Sequence, residues 1–119
     1  MSKKFKVAVL PGDGIGSEIM PPTIDVLNAV TEKSDIEFEF NEAKVGWEAY
    51  KEFKTCLPDS TLALCKESDA ILFGAVGHPD ADNLPPNDRP ERSALLPLRK
   101  EFDLYANLRP AIVFKALAN

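Results

Sequence analysis

Histidine and cysteine are scarce in this chain: its 119 residues include one His and two Cys. The cysteines, Cys56 and Cys65, have no histidine near them in the sequence. We therefore expect buried thiols there rather than a metal site. Two cysteines without a recognisable export signal are typical of a reducing compartment, so we expect a cytoplasmic protein.

A basic surface and a long apolar run are also missing. The formal net charge of −5 and the pI of about 4.9 disfavour nucleic acid as a partner. The apolar stretch before Pro11 is too short for a signal sequence or a membrane span, so we expect no membrane partner. Hydrophobic residues at 45% and charged residues at 28% are typical of one ordinary globular domain.

The hydrophobic pattern predicts alternating strands and helices, and hence an α/β fold with a sheet. The predicted strands cover residues 5–10, 36–40, 70–74 and 104–114. The predicted helices cover residues 17–33, 47–53, 59–66 (with Asp59 or Ser60 as the cap) and a last stretch that ends near residue 103. Residues 78–90 contain four prolines and no periodicity, so we predict a loop, and a loop of that length is more often functional than idle.

Two glycine-rich turns follow predicted strands. "LPGDGIGSEI" holds Gly12, Gly14 and Gly16, and "GAVGHP" begins at Gly74. The dinucleotide fingerprint would need a glycine where Ser17 stands, and Asp13 would repel a pyrophosphate on the turn. The first turn is therefore not predicted to be a Rossmann loop, and a tight turn without a ligand remains an alternative. Because ligands gather at the carboxyl ends of strands, the two turns would frame a crevice.

All four arginines, Arg89, Arg92, Arg99 and Arg109, fall in one short segment. Arg99 on a helix and Arg109 on the next strand could grip one dicarboxylate, because guanidinium groups pair bidentately with carboxylates. Leu95 and Leu96 precede Arg99 by four and three residues and could form an apolar wall beside it. The spacing alone favours the alternative, in which the leucines belong to the core and the arginine faces solvent.

The blocks "LPGDGIGSEI", "GAVGHPDADNLPP" and "RPERSALLPLRKEFDLYANLRPAIVF" resemble, in this order, the β-decarboxylating dehydrogenases of the 3-isopropylmalate type. Isocitrate and tartrate dehydrogenases are sister enzymes in that family. The resemblance covers essentially the whole chain. It implies a partial isocitrate/isopropylmalate dehydrogenase-like α/β domain without a Rossmann fold. Residues 1–119 would form the N-terminal part of the first domain, reaching towards the domain junction, with an incomplete sheet.

The resemblance also implies roles for individual residues. Arg99 and Arg109 would bind the carboxylates of the malate moiety, and Leu95 and Leu96 would line the pocket for the isopropyl group. NAD would be bound by Ile15, Gly77, His78, Pro79, Asp80, Asp82, Asn83, Leu84 and Glu91. His78 departs from the family, which usually has a glycine there.

The implied activity is the NAD-dependent oxidative decarboxylation of 3-isopropylmalate to 2-oxo-4-methylpentanoate in leucine biosynthesis, with Mg²⁺ or Mn²⁺. Leu95 stands where isocitrate dehydrogenases have Asn, which favours an alkyl substituent over a carboxylate. The family's catalytic Tyr and Lys, its metal-binding aspartates and a third arginine would lie beyond residue 119. We therefore expect no catalytic or metal residue in this chain, and an inactive N-terminal piece of a homodimeric enzyme that acts on a small 2-hydroxy diacid. Alternatives are a tartrate or isocitrate dehydrogenase, or a non-catalytic remnant that binds an anion.

Overall fold

The computed structural model describes residues 2–118, and within them a sheet of three parallel strands. The strands are β1 (Lys3–Gly12), β2 (Ile36–Glu42) and β3 (Ala70–Ala75), in the spatial order β2-β1-β3. Three of the four predicted strands are therefore present in the described residues, which confirms the α/β class. Because the strands are parallel, their carboxyl ends lie at one edge of the sheet.

Four α-helices connect or follow these strands in the described part of the chain: α1 (Gly16–Thr31), α2 (Trp47–Phe53), α3 (Asp59–Lys66) and α4 (Leu96–Glu101). A π-helical turn at Glu91–Leu95 leads directly into α4, and short 3₁₀ turns lie at Pro79–Asn83 and Lys115–Leu117. The bounds of α2 agree with the prediction. The first 3₁₀ turn lies within the predicted loop at 78–90. It is closed by hydrogen bonds from the N–H groups of Ala81 and Leu84 to the carbonyl oxygens of His78 and Ala81.

The core lies on both faces of β1. Val7 and Val9 pack on one face with Met20 of α1, whereas Ala8 and Leu10 pack on the other with residues from the later helices. Successive side chains of a strand point to opposite faces, so a central strand covered on both sides is apolar throughout. This is why residues 7–10 read as a continuous hydrophobic run.

Three details of the prediction are wrong. The spacing of Ile19, Ile24, Leu27 and Val30 predicts the buried face of α1. Ile19 and Val30 are instead exposed and the deeply buried side chain is Met20, because only a narrow face of the helix packs on the sheet. The N-cap of α3 is Pro58 and no side chain caps this helix. The apolar run "AILFGAV" predicts a buried strand, but β3 is only half-buried, since it lies at an edge of the described sheet.

The predicted strand at 104–114 is also wrong: the described residues there form no strand. The segment is exposed, with Tyr105, Leu108 and Ile112 among its outward-facing apolar side chains. A strand exists only where a neighbouring strand takes up its backbone hydrogen bonds. No strand within residues 2–118 pairs with this segment, so its β-branched and aromatic composition is not sufficient to form one.

Candidate functional site

The two glycine turns meet at the carboxyl edge of the sheet. The N–H of Asp13 donates to the carbonyl oxygen of Ala75, with an N···O distance of 2.7 Å. Gly12 has a φ of +77°, and a Cβ placed on it would lie 1.9 Å from the same oxygen. Glycine is thus required at position 12 both by its backbone angle and by the close approach of β3. The turns after β1 and β3 form one unit, as expected for the rim of a crevice.

Asp13 is the residue whose role the sequence-based interpretation missed. Its side chain is 2% exposed, and its carboxylate accepts hydrogen bonds from the N–H groups of Trp47 (2.9 Å), Glu48 (3.0 Å) and Gly77 (2.9 Å). The first two are the free donors at the start of α2, where a negative charge is favoured. The carboxylate therefore does not face a ligand on the turn. The sequence does contain a signal for this role: Asp13 stands between two glycines, directly after a buried strand, and no cationic residue is near it.

A cavity of about 510 Å³ opens beside the first turn. Gly14, Lys44, Glu48 and His78 contribute to its walls. Lys44 also pairs with Glu52, and this hydrogen bond raises the pKa of the exposed lysine. The cavity thus offers a backbone turn, charges of both signs and one imidazole.

His78 is held by two contacts. Its ring stacks on that of Trp47, with the ring centroids 6.0 Å apart and the planes 13° from parallel. Its Nδ1 accepts a hydrogen bond from the N–H of Asp80 at 3.2 Å. The imidazole therefore caps the 3₁₀ turn and covers the indole.

The other predicted cofactor residues lie along the segment after β3, apart from Ile15, which is 62% exposed just before α1. Five of them fall in the 3₁₀ turn or directly after it, exposed except for half-buried Leu84: Pro79, Asp80, Asp82, Asn83 and Leu84. Arg89 braces this turn, since its Nη2 donates to the carbonyl oxygen of Asp82 at 2.9 Å. A Cβ on Gly77 would lie 2.8 Å from Oε1 of Glu91, so these two predicted residues are neighbours. His78 is the one residue of the predicted set that lines the 510 Å³ cavity.

Of the predicted substrate residues, the structure brings Leu95 and Arg99 together. Both line a cavity of about 140 Å³ whose other walls come from Ile71, Phe73, Leu98, Phe102 and Leu104. Arg99 also lines an adjoining cavity of about 250 Å³ with Leu104 and residues 106–108. Leu96 is 52% exposed, and neither it nor the exposed Arg109 lines these two cavities. The convergence of the two arginines on one anion stays a prediction.

The cysteines are free and buried, as predicted. Burial raises the pKa of both thiols, and for Cys56 it outweighs a hydrogen bond with Ser93 that acts in the opposite direction. Residues 2–118 hold no group of three or more His, Cys, Asp or Glu side chains that could bind a metal ion. No helix in that part of the chain is long and apolar enough to cross a membrane.

Comparisons with known proteins agree with the resemblance. Residues 6–119 match the protein family described as isocitrate/isopropylmalate dehydrogenase. The chain is 58% identical over 113 residues to the 3-isopropylmalate dehydrogenase of Moorella thermoacetica, a match that covers 95% of the chain and 32% of that protein. It is 56% identical over 117 residues to the 3-isopropylmalate dehydrogenase of Geobacter metallireducens, covering 98% of the chain and 32% of that protein. The chain therefore spans about a third of the length of these curated relatives.

Two solved structures are similar to the fold. The crystal structure of a β-decarboxylating dehydrogenase from Thermococcus kodakarensis superposes with a TM-score of 0.63 and 39% identity, covering 85% of this chain and 27% of that one. The isocitrate dehydrogenase of Methylococcus capsulatus superposes with a TM-score of 0.56 and 28% identity, covering 63% of this chain and 21% of that one.

Proposed function

The chain belongs to the isocitrate/isopropylmalate dehydrogenase family, and we propose that the protein that carries it oxidatively decarboxylates 3-isopropylmalate with NAD. The observation that carries this choice of substrate is the position of Leu95 beside Arg99, in a cavity whose walls are otherwise apolar. A cation next to an apolar wall suits a substrate with a carboxylate and a branched alkyl group. Similarity to relatives named 3-isopropylmalate dehydrogenase supports the same choice.

Leu95 accounts for selection against a tricarboxylate. A leucine side chain cannot donate a hydrogen bond, so a third carboxylate placed against it would lose its hydration without compensation. An isopropyl group in the same place instead removes apolar surface from water. The product, 2-oxo-4-methylpentanoate, has the carbon skeleton of leucine, which fits a role in leucine biosynthesis.

Arg99 and Arg109 are proposed to bind the malate carboxylates. Arginine remains charged at any physiological pH and can offer two parallel N–H donors to one carboxylate. Arg99 is anchored on α4, immediately after the π-helical turn, with its side chain exposed to the two small cavities. Leu96, the exposed first residue of α4, is proposed to contact the isopropyl group from the solvent side.

The segment 77–84, with Ile15 and Glu91, is proposed to hold NAD. The exposed 3₁₀ turn and Gly14 support this, because a Cβ on Gly14 would meet nothing within 4 Å and a ligand can approach its backbone closely. When bound, NAD accepts a hydride and a divalent cation polarises the substrate oxygen. The described residues hold no cluster of His, Cys, Asp or Glu side chains that fits that cation.

The test uses the whole protein that carries this chain, and it follows the formation of NADH from NAD by absorbance or fluorescence. We expect turnover of 3-isopropylmalate and much weaker turnover of isocitrate and tartrate. Arg99→Lys and Arg109→Lys should each raise KM for the substrate by about tenfold or more, because Lys cannot pair bidentately.

Arg92→Lys is the matched control for Arg99→Lys, since Arg92 lies in the same segment and is exposed but, unlike Arg99, lines neither small cavity. Its KM should stay close to that of the unsubstituted protein. Preferential turnover of isocitrate or tartrate would reassign the substrate, and an effect of Arg92→Lys equal to that of the other two variants would remove Arg99 and Arg109 from the site.

A further inference from the structure

We propose that Asp13 is a positioning residue for the cofactor segment: its buried carboxylate holds the backbone at Gly77 and thereby sets the path of residues 77–84. The proposal rests on the proposed function, since it assumes that NAD lies along that segment. It assigns a role to a residue that touches neither the cofactor nor the substrate.

The geometry ties the start of α2 and Gly77 to one side chain. Oδ2 of Asp13 accepts from the N–H groups of both Gly77 and Trp47, each at 2.9 Å, and Oδ1 accepts from Glu48 at 3.0 Å. The N–H of Asp13 donates to Ala75 at 2.7 Å. The same residue therefore binds the chain on both sides of Val76, where β3 ends and the segment begins.

Gly77 is the residue whose backbone conformation the Asp13 side chain has to fix. Its φ is +124°, a conformation that L residues rarely adopt, whereas a glycine can leave it freely for others. A hydrogen bond to the buried Asp13 side chain selects one of these conformations, because losing it would leave polar groups without a partner away from water. The Asp13 bond thus compensates for the flexibility of glycine where the segment changes direction.

The same oxygen also aligns the neighbouring rings. Trp47 and Gly77 both donate to Oδ2, and the residue after Gly77 is His78, whose ring stacks on Trp47. One carboxylate oxygen therefore fixes the position of the start of α2 relative to the start of the cofactor segment. Moving that oxygen would displace the stack and the 3₁₀ turn that His78 caps.

Asp13→Asn in the whole protein that carries this chain is the direct test. Asn has nearly the same shape, but its NH₂ group cannot accept hydrogen bonds, so at least one of the three N–H donors loses its partner. We expect KM for NAD to rise by about tenfold or more, while KM for the substrate and kcat change by less than about threefold. A general loss of stability would not produce this difference between the two KM values.

Thr61→Val is the matched control. Thr61 is also 2% exposed and donates to the carbonyl oxygen of Lys44 at 2.7 Å, close to the start of α2, but it makes no hydrogen bond to the cofactor segment. It should lower the stability and leave KM for NAD unchanged. An equal rise in KM for NAD in both variants, or no rise in Asp13→Asn, overturns the proposal.

Hydrogen exchange separates the failure of this proposal from the failure of the proposed function. Asp13→Asn should accelerate amide exchange in residues 77–84 and leave β1 protected, whereas Thr61→Val should not accelerate it there. If the unsubstituted protein does not oxidise 3-isopropylmalate with NAD, the proposed function fails, and the role of Asp13 in cofactor binding fails with it. Faster exchange in Asp13→Asn would still show that the carboxylate holds the backbone of residues 77–84. Unchanged exchange overturns the positioning role itself. If Asp13→Asn does not fold, Asp13→Glu, which keeps the acceptor but shifts it by one methylene, is tested against the same outcomes.

Discussion

The imidazole ring of His78 lies on the indole ring of Trp47, with 6.0 Å between the centroids and 13° between the planes. These are the single histidine and the single tryptophan of the chain. Trp47 also stacks on Tyr50 of the same helix, at 5.5 Å. The indole therefore reports directly on the segment that begins at Gly77.

Removal of the imidazole should expose the indole. We expect His78→Gly to shift the emission of Trp47 to longer wavelength and to increase its quenching by acrylamide, because the covering ring is lost. His78→Phe keeps an aromatic ring and should preserve both properties. Stacked pairs of this kind contribute about 0.5–1.5 kcal/mol beyond area burial, so His78→Gly should also lower the free energy of unfolding slightly. Equal quenching in all three proteins would show that the stack does not persist in solution.

Alanine at Gly12 and at Gly14 should have different effects on stability. Both glycines have positive φ, but a Cβ on Gly12 would lie 1.9 Å from the Ala75 oxygen, whereas a Cβ on Gly14 would meet nothing within 4 Å. We expect Gly14→Ala to cost about 1–2 kcal/mol from backbone strain alone. Gly12→Ala should cost more than about 3 kcal/mol, because β3 must also move. Urea denaturation measures both, and equal costs would contradict the close contact between the two turns.

Thr61→Val should lower the free energy of unfolding by about 1–3 kcal/mol, because the Lys44 carbonyl loses the hydrogen bond from the buried Thr61 hydroxyl. Thr61→Ser keeps the hydroxyl and should retain most of that stability. Thr55→Val, at an exposed threonine, should change the free energy of unfolding by less than about 0.5 kcal/mol. The three variants are compared by urea denaturation at neutral pH. If the Ser and Val variants at position 61 are equally destabilised, the hydrogen bond contributes nothing.

Alkaline pH should destabilise the fold through the two thiols. Burial raises the pKa of Cys56 and Cys65 above the ordinary value of 9.0, so the unfolded chain loses these protons at a lower pH than the folded chain. The stabilisation is complete below pH 9.0 and is lost as the pH rises from there through the raised pKa values. The free energy of unfolding should therefore decrease with pH in this window.

The Cys56→Ala/Cys65→Ala double variant is the control for this dependence of the free energy of unfolding on pH. It should be less stable at neutral pH, but its free energy of unfolding should fall less steeply above pH 9.0. Lys4 and Lys44, whose pKa values are raised by their glutamate partners, remain in both proteins and cancel in the comparison. Parallel slopes would contradict a role for the thiols.

Leu95→Asn should change substrate preference in the protein as encoded. Asn can donate a hydrogen bond to a carboxylate and makes a poor contact with an isopropyl group. We expect the ratio of kcat/KM for 3-isopropylmalate over isocitrate to fall by about tenfold or more. Leu95→Met keeps an apolar side chain and should preserve the preference. An unchanged ratio in Leu95→Asn would count against the assigned pocket.

Local patterns were sufficient for some elements and insufficient for others. β1 was predicted correctly because its apolar run stands between lysines and glycines, which is enough to indicate a buried strand. α2 was predicted correctly because one short amphipathic stretch is enough to indicate a short helix. The strand predicted at 104–114 has an equally strong β composition, yet the described residues supply no partner for its backbone. Composition expresses a preference for a half-buried pleated surface, and a neighbouring strand has to provide that surface.

The same division holds for the candidate site. The glycine turns, the Arg99 helix and the buried thiols are visible as residue types at particular spacings, and so is the likeness to the family. The function of Asp13 is not visible in that way, because its three donors lie 34, 35 and 64 residues away in the chain. Residue spacing therefore determined the order of strands and helices and the types of side chain near the crevice. Only tertiary structure decided which carboxylate is satisfied by backbone donors and which cavity a side chain enters, because these depend on contacts between segments that are distant in sequence.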